Sequence, residues 1–539
     1  MAKMSSNLDA MIPRSDFAIQ DARTSRVQSL DTFEKVTLRD LAGDSNFVYK
    51  LLRKPDFQRE TTQWTPGQVA ILVESFINGE LIPAVILWRS SSNIFVIDGG
   101  HRLSALLAWA NDDYGDGPLS YQFFNRSISN EQKRMADRTR REVASRVGTY
   151  QHFATRLSAQ SADPDEASQT RQMNFATRGI QVQWITGDAD KAESSFFKIN
   201  TQGSALDETE SLILSNRRKA PALVARAVVR ASTGHKYWSN FDPNIQEKVQ
   251  SSAQTVHRAL FAPEIDNPVK TIDLPIAGSS STGQALQLLI ALAEIVDGDR
   301  RSVDKFDDDM DGSQTLLLLK SLERVFLRMV GNQTSSLGLH PLVWFYTAQG
   351  RHYEPLFLAI TNIISEKLRN NQSEWFHSFT SHRANIETFL VENKVVITLL
   401  ISALGSKSRV NGAKSALTTI FEASQSGQEL SINLLADKMG LQSRLYSIQQ
   451  KPGVSFSDEA RSSAFVRESL RAALKCPICK SFMDTTKSAS YDHIIRKEDG
   501  GNGGTDNCQI THPFCNSGVK ERENSRAVAT VGELSSQQE

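Results

Sequence analysis

Hydrophobic residues near the start of the chain follow a mixed helical and strand-like pattern. The segment VAILVESFINGE, residues 69–80, has the 3.6-residue period of an amphipathic helix. Two short β-rich runs follow, AVILWR and IFVID, which are joined by SSSN as in a hairpin. The next run, LSALLAWA, is again helical. This part of the chain therefore predicts a mixed α/β domain.

The pattern then changes twice. Residues 111–170 are charged and contain DDYGDG and SAQSADPDEASQ, which predict loops or insertions. From about residue 193 to residue 450, segments such as QALQLLIALAEIV and SQTLLLLKSLERVFLRMV have helical spacing. We therefore expect an α-helical middle region.

The whole chain is predicted to be a multidomain α+β protein. Its 539 residues exceed the size of one ordinary domain. The predicted parts are a flexible arm (1–34), a mixed α/β domain (35–220), a helical middle domain (221–450), a linker (451–466), a small C-terminal domain (467–527) and a tail (528–539).

Composition restricts the classes of function. Lysine plus arginine and aspartate plus glutamate both number 61, so no global charge attracts nucleic acid or an acidic membrane. The most apolar run, VVITLLISAL, is shorter than the roughly 18 residues of a membrane span. The N-terminal residues lack the apolar core of a secretory signal. We therefore expect a cytoplasmic protein without membrane contact, whose cysteines are thiols or metal ligands.

All four cysteines lie near the C-terminus. Cys476 and Cys479 form CxxC, the spacing with which two thiolates grip one Zn²⁺ ion, and His512 and Cys515 repeat that spacing. Together they predict a closed Cys₃His zinc site that stabilises a small domain. Cys508 lies outside both pairs and is an alternative ligand.

A carboxylate adjoins an imidazole between the two pairs, at Asp492 and His493. This combination suits phosphodiester hydrolysis. The histidine would remove a proton from water, and the aspartate would help to hold Mg²⁺ or Mn²⁺, which stabilises charge on the phosphate.

The ordered set of CxxC, DH, GG, Asn, xxCN and Lys resembles the zinc-containing HNH endonucleases, whose fold is a ββα-metal finger. The resemblance covers about fifty residues. It implies that His493 is the general base, that Asp492 and Asn516 bind the catalytic metal, that Asn507 braces the catalytic loop and that Lys520 contacts DNA phosphate. One departure is His512, where the family usually has cysteine; histidine is an equally good zinc ligand.

Three strings near the N-terminus occur in a fixed order. They are PDFQR followed by Trp64, then IDGGHRLSALLAW, then FFKINTQGSALDETE. Asp-Gly-Gly after a strand makes a tight turn that brings backbone N–H groups toward a ligand. Arginine in such a place holds phosphates in a forked geometry. The plain alternative is a hairpin turn whose aspartate caps a helix and pairs with the arginine.

This arrangement resembles the ParB-like N-terminal domain of GmrSD-type and SspE-type restriction proteins, over about residues 35–220. The resemblance implies nucleotide binding and hydrolysis, and sensing of modified DNA. The residues that it assigns to this site are Gln58, Arg59, Asp98, Gly99, Gly100, His101, Arg102, Asn200 and Gly203. The usual DGQQR string is DGGHR here, which leaves open whether NTP is hydrolysed. The chain has no Walker A string, so any NTPase is not a P-loop enzyme.

An acidic string, DDDMDG at residues 307–312, imitates the start of an EF-hand. The twelfth position is Leu318 instead of the required glutamate, so calcium is not expected. We interpret the string as an acidic turn before a helix that begins near Ser313.

These observations predict a DNA endonuclease of a bacterial or archaeal defence system, regulated by its N-terminal domain. A rival hypothesis is a non-catalytic DNA-binding or regulatory protein with a purely structural zinc site. A third is an NTPase with a degraded HNH domain. The sequence leaves open whether the chain forms a homo-oligomer or needs a partner defence protein.

Overall fold

A computed structural model describes residues 5–15, 17, 33–42, 47–58, 60–90, 92–159, 165–202, 208–265, 268–280, 283–441 and 456–522. The chain divides into two compact units. The first comprises Met1–Arg218 and Thr233–Asn240, and the second Lys219–Ser232 and Phe241–Glu539. No helix among the described residues is long and apolar enough to cross a membrane.

The first unit contains a mixed six-stranded sheet in the order β1-β3-β5-β4-β6-β2. The hairpin predicted for residues 84–98 is confirmed, since β4 and β5 pair antiparallel, whereas β4–β6, β3–β5 and β1–β3 are parallel. The strands are β1 (Arg14–Ser15), β2 (Lys35–Thr37), β3 (Leu52–Pro55), β4 (Val85–Arg89), β5 (Ile94–Asp98) and β6 (Gly179–Ile185).

Helices pack around this sheet. The predicted helices over residues 69–80 and after DGGHR are confirmed as α3 and α4. The helices are α1 (Leu38–Leu41), α2 (Phe47–Leu51), α3 (Pro66–Asn78), α4 (Gly100–Asn111), α5 (Pro118–Phe123), α6 (Asn130–Arg146), α7 (Tyr150–Ser158), α8 (Glu166–Thr177), α9 (Ala189–Gln202) and α10 (Glu208–Ser215).

The loop predicted at DDYGDG is confirmed, since no helix or strand includes it, but most of the rest of residues 111–170 is helical and holds α5, α6, α7 and the start of α8. The reason is a thin apolar stripe within a highly charged sequence. On α6, Met135, Ala136, Thr139 and Val143 are buried while most of the other faces are charged. A helix that is charged over most of its surface can still pack on the core through one narrow apolar stripe.

The prediction of a loose arm is wrong for residues 5–15. Leu8, Met11 and Ile12 lie in the hydrophobic core of the first unit. Asp9 accepts hydrogen bonds from Arg14 and Lys54 at 2.8 and 2.7 Å, and all three side chains are buried. The polar composition of this segment therefore gave no sign of a buried ionic cluster. The rest of the predicted arm, residues 18–32, lies outside the described part of the chain.

The second unit is helical, as predicted for the middle region. Its helices are α11 (Ala220–Val229), α12 (Pro243–Phe261), α13 (Gly283–Val296), α14 (Ser313–Met329), α15 (Pro341–Trp344), α16 (Glu354–Arg369), α17 (Ser373–Glu392), α18 (Lys394–Ser402), α19 (Arg409–Ser426), α20 (Ile432–Met439) and α21 (Asp458–Ala472).

The acidic string before α14 forms the expected helix-start turn. Asp309 accepts hydrogen bonds from the backbone N–H groups of Gly312 and Thr315, at 3.1 and 2.7 Å, and from the Thr315 hydroxyl. Its carboxylate therefore serves the first turn of the helix.

The cysteine-rich segment ends the second unit as a small hairpin. Strands β7 (Ser490–His493) and β8 (Cys508–Thr511) pair antiparallel, with Asp492 opposite Gln509 and His493 opposite Cys508. A helical segment begins at Pro513 and includes a π-helical turn, Cys515–Lys520. Two strands followed by a helix agree with the expected small fold, in an α+β chain.

Candidate functional site

The two predicted ligand pairs meet in one cluster. The ligand atoms of Cys476, Cys479, His512 and Cys515 all lie within 4.8 Å of one another, and only Cys479 is not fully buried. Three thiols and one imidazole at this separation fit a tetrahedral zinc site. Cys508 is exposed and is not part of the cluster.

The His512 ring is oriented for a ligand role. Its Nε2 atom lies 3.0 Å from the carbonyl oxygen of Phe482, so Nε2 carries the proton that is donated there. Nδ1 is left as the lone-pair nitrogen, 3.3 Å from the Cys479 Sγ atom. A backbone carbonyl on the second nitrogen is the usual arrangement for a metal-binding histidine.

The predicted nuclease residues lie along β7 and the following segments. Asp492 accepts three hydrogen bonds from two donor groups: Lys520 Nζ lies 2.9 and 2.8 Å from its two oxygens, and Gln509 Nε2 lies 2.8 Å from one of them. Lys520 also donates to the carbonyl of His493. The His493 side chain is partly exposed at the end of the strand. Lys520 therefore connects the Asp492 carboxylate with the backbone of His493 at the end of β7.

Asn507 and Asn516 form hydrogen bonds with different parts of the hairpin. Asn507 is buried, accepts from Ile495 N–H at 2.6 Å, and donates to the carbonyls of Ile495 and Asn502 at 3.0 and 2.8 Å. Asn516 Nδ2 donates to the Ser490 hydroxyl at 2.8 Å. Asn507 thus closes the loop after His493, and Asn516 lies beside β7.

Gln509 and Ser490 were missed by sequence reasoning. Gln509 contacts Asp492 because of the register of the two strands, and Ser490 contacts Asn516 because of the position of the helical segment. A β-like alternation at residues 508–511 was the one available signal, and four residues are too few to fix a register.

The N-terminal strings also converge. Asp98 ends β5 and forms an ion pair of 2.6 Å with Arg102, whose guanidinium also donates to the Ala84 carbonyl at 3.0 Å. Trp64 stacks on His101 with 5.5 Å between ring centroids. The Asp98–Arg102 contact is the pair that the plain hairpin interpretation expected.

Gly99 and Gly100 are needed in the turn for different reasons. Gly99 has φ of 92°, and a Cβ there would lie 2.5 Å from the Val85 Cγ1 atom. A Cβ on Gly100 would lie 3.0 Å from Gln58 Nε2, and Gln58 itself is buried with its Oε1 atom unpartnered among the described residues. The turn therefore allows a buried amide to lie against the start of α4.

The third string is only partly described. Glu210 accepts a hydrogen bond of 2.8 Å from Gln63, the neighbour of Trp64, which connects it to the first string. The expected site residues Arg59 and Gly203 lie outside the described residues, as does the Asn200 side chain, although Asn200 belongs to α9.

Comparison with known families agrees with both regions. Residues 38–217 match the family model described as GmrSD restriction endonuclease, N-terminal domain. Residues 476–522 match the model described as HNH endonuclease. Comparisons with curated proteins and with solved structures gave no match. The GmrSD-type and HNH resemblances indicated by the sequence are confirmed: one segment of the chain is similar to a GmrSD N-terminal domain and another to an HNH endonuclease, which indicates nuclease activity and DNA as the substrate.

Proposed function

We propose that this chain is a metal-dependent DNA endonuclease of a prokaryotic restriction system. Its HNH module hydrolyses phosphodiesters, and its N-terminal domain regulates cutting in response to a nucleotide or a DNA modification. The observation that carries the proposal is the grouping of Asp492, His493 and Lys520 at one end of a hairpin that is fastened by Asn507.

The chain's own groups have separate tasks in this reaction. His493 takes the proton from the attacking water. Asp492 and Asn516 would hold Mg²⁺ or Mn²⁺, which supplies Lewis-acid stabilisation of the phosphate. Lys520 contacts the phosphate from the Asp492 side, and Asn507 keeps the loop after the general base in place.

Zinc in the Cys₃His cluster has a structural role in this proposal. Four protein ligands leave no open coordination position for water or substrate.

The first unit offers the regulatory site. Gln58, Gly100 and Arg102 converge at the start of α4, where backbone N–H groups and a guanidinium attract phosphate. Binding there would require Arg102 to exchange part of its ion pair with Asp98 for the ligand.

The first experiment incubates the purified chain with unmodified plasmid and with phage DNA that carries modified bases, in Mg²⁺ or Mn²⁺, with and without NTP. His493→Ala is expected to lose cutting by at least about 100-fold, the usual size of a general-base contribution. Cys508→Ala, opposite His493 in the hairpin, is the matched control and should cut normally.

Equal cutting by His493→Ala and the parent chain would refute the assignment of cutting to the HNH module. No cutting by a parent chain that retains zinc would favour a DNA-binding protein with a structural zinc. The N-terminal site is tested separately by nucleotide binding to Asp98→Asn and Arg102→Met. Binding that survives both substitutions would refute the site in the first unit.

A further inference from the structure

Two ionised side chains are buried inside the helical region, next to the cysteine cluster. Arg383 and Glu387, one turn apart on α17, are 1% and 0% exposed and form an ion pair of 2.6 Å. Removing two charges from water costs several kcal/mol, which their mutual attraction often fails to recover. Such a pair needs additional partners or a further role.

Each member of the pair has partners that lead toward the cluster. Glu387 Oε1 accepts from Trp344 Nε1 at 2.8 Å, and Oε2 accepts from the backbone N–H of Phe482 at 2.8 Å. Arg383 donates to the carbonyls of Leu337 and Gly338. The pair therefore connects α17 to the loop before α15 and to the turn after CxxC.

The Phe482 peptide group continues the connection to a cluster residue. Its N–H donates to Glu387, and its carbonyl oxygen accepts the hydrogen bond from His512 Nε2 at 3.0 Å. At the neighbouring ring atom, a Cβ placed on Gly338 would lie 2.7 Å from His512 Cδ2. The His512 ring is thus fixed by a hydrogen bond that Glu387 positions and by a loop that Arg383 holds.

Electrostatics point the same way. Zn²⁺ with three thiolates and a neutral imidazole carries one net negative charge. Burial opposes the charge of Arg383, but Glu387 and the Cys479 and Cys515 sulfur atoms raise the pKa of its guanidinium above the ordinary value. The arginine therefore stays charged within its buried ion pair with Glu387.

We propose that Arg383 and Glu387 are positioning residues of the zinc centre: Glu387 orients His512 through the Phe482 peptide group, and Arg383 holds the Leu337–Gly338 loop that lies against the His512 ring. The helical region thereby supplies the outer hydrogen-bond shell of the HNH module. This inference rests on the zinc site of the proposed function, and not on the catalytic role of His493.

The test measures zinc affinity of the full chain by competition with a chromophoric chelator. Glu387→Gln removes the charge and is expected to weaken zinc binding at least about tenfold, the size found when such outer partners of metal ligands are changed. Asp297→Asn is the control, because Asp297 also forms an i,i+4 ion pair, with Arg301 in the loop after α13 of the same unit. That variant should lose thermal stability without losing zinc affinity.

A second readout separates orientation from general destabilisation. In the Co²⁺-substituted chain, Glu387→Gln should shift the visible ligand-field bands, which depend on ligand geometry, while Asp297→Asn should leave them unchanged. If Glu387→Gln does not fold, Glu387→Asp, which keeps the charge and shortens the reach, is expected to weaken zinc binding and to shift the same bands.

Unchanged zinc affinity and unchanged bands in a folded Glu387 variant would overturn the inference alone, with cutting by the parent chain intact. A parent chain that binds no zinc would overturn the inference together with the structural zinc site. Loss of cutting on His493→Ala, measured in parallel, reports on the nuclease independently.

Discussion

The ammonium nitrogen of Lys520 lies 2.9 and 2.8 Å from the two carboxylate oxygens of Asp492. Both side chains are largely buried, at 20% and 9% exposure. A cation at this distance competes with a metal ion for the same carboxylate. Lys520 is therefore expected to set the metal affinity of the site as well as to contact phosphate.

Lys520→Met should tighten Mn²⁺ binding at Asp492 about fivefold. Repulsion between a bound cation and a lysine charge about 4 Å from it costs about 1 kcal/mol even with strong screening, and the substitution removes that repulsion. The same variant should cut DNA more slowly at saturating metal, since the phosphate contact is lost. Calorimetric Mn²⁺ titration and single-turnover cutting measure the two effects. Lys497→Met, at an exposed position of the same module, is the control, and equal Mn²⁺ affinity in all three proteins would contradict the prediction.

Asn507→Asp should reduce cutting without removing zinc. The substitution keeps an acceptor for Ile495 N–H but replaces the two hydrogen bonds donated to Ile495 and Asn502 by repulsion between oxygens. We expect the turnover number to fall at least about tenfold, because a general base displaced by a fraction of an ångström loses its geometry. Zinc content is measured alongside, and normal turnover would show that the loop keeps its form without this side chain.

Gly338→Ala should destabilise the second unit by about 1–3 kcal/mol. Gly338 has φ of 60°, and the new Cβ would meet His512 Cδ2 at 2.7 Å and Ser488 Cβ at 3.1 Å. Urea unfolding measures the loss. Gly298→Ala is the control, since nothing lies within 4 Å of a Cβ there, and a similar loss in both variants would refute the role of the close approach.

His352 should make the second unit sensitive to acid. Burial lowers the pKa of His352 from 6.5 to about 4, opposed by the hydrogen bond with the Ile276 carbonyl. The unfolded chain therefore binds this proton at higher pH than the folded chain, and the free energy of unfolding falls as pH drops from 6.5 through about 4.

His352→Gln should remove that component. Between about pH 7 and pH 4, the parent chain is expected to lose up to about 3 kcal/mol more stability than the variant. The difference in unfolding free energy between the two proteins cancels the contributions of the other titrating groups. Urea unfolding at several pH values measures it, with His382→Gln as a control for histidine loss at a less buried position. Parallel curves for parent and His352→Gln would disprove the assignment.

Much of the candidate site could be predicted because its residues are close in sequence. The spacing of Cys476 and Cys479, repeated at His512 and Cys515, was sufficient to predict one metal cluster, and the resemblance of the motif order to HNH endonucleases implied two strands and a helix. Short-range spacing determines such local geometry directly.

Other features depend on distant parts of the chain. Arg383 and Glu387 look like an ordinary i,i+4 surface pair, since nothing in a helical pattern shows that Phe482, 95 residues later, contacts one of them. Asp9 and Lys54 were likewise hidden, because a polar N-terminal stretch is typical of a loose arm. Buried charge depends on tertiary packing, which periodicity does not report.

The shared hydrogen bonds of Phe482 have a practical consequence for cloning and for gene fusion. An excised fragment that starts at residue 467 would carry all four cluster ligands, yet it would leave behind the carboxylate that holds the Phe482 N–H and the loop against which His512 rests. Transplanting this nuclease onto another protein is therefore expected to require α17 and the Leu337–Gly338 loop as well, so its smallest transferable cassette is longer than the HNH motif.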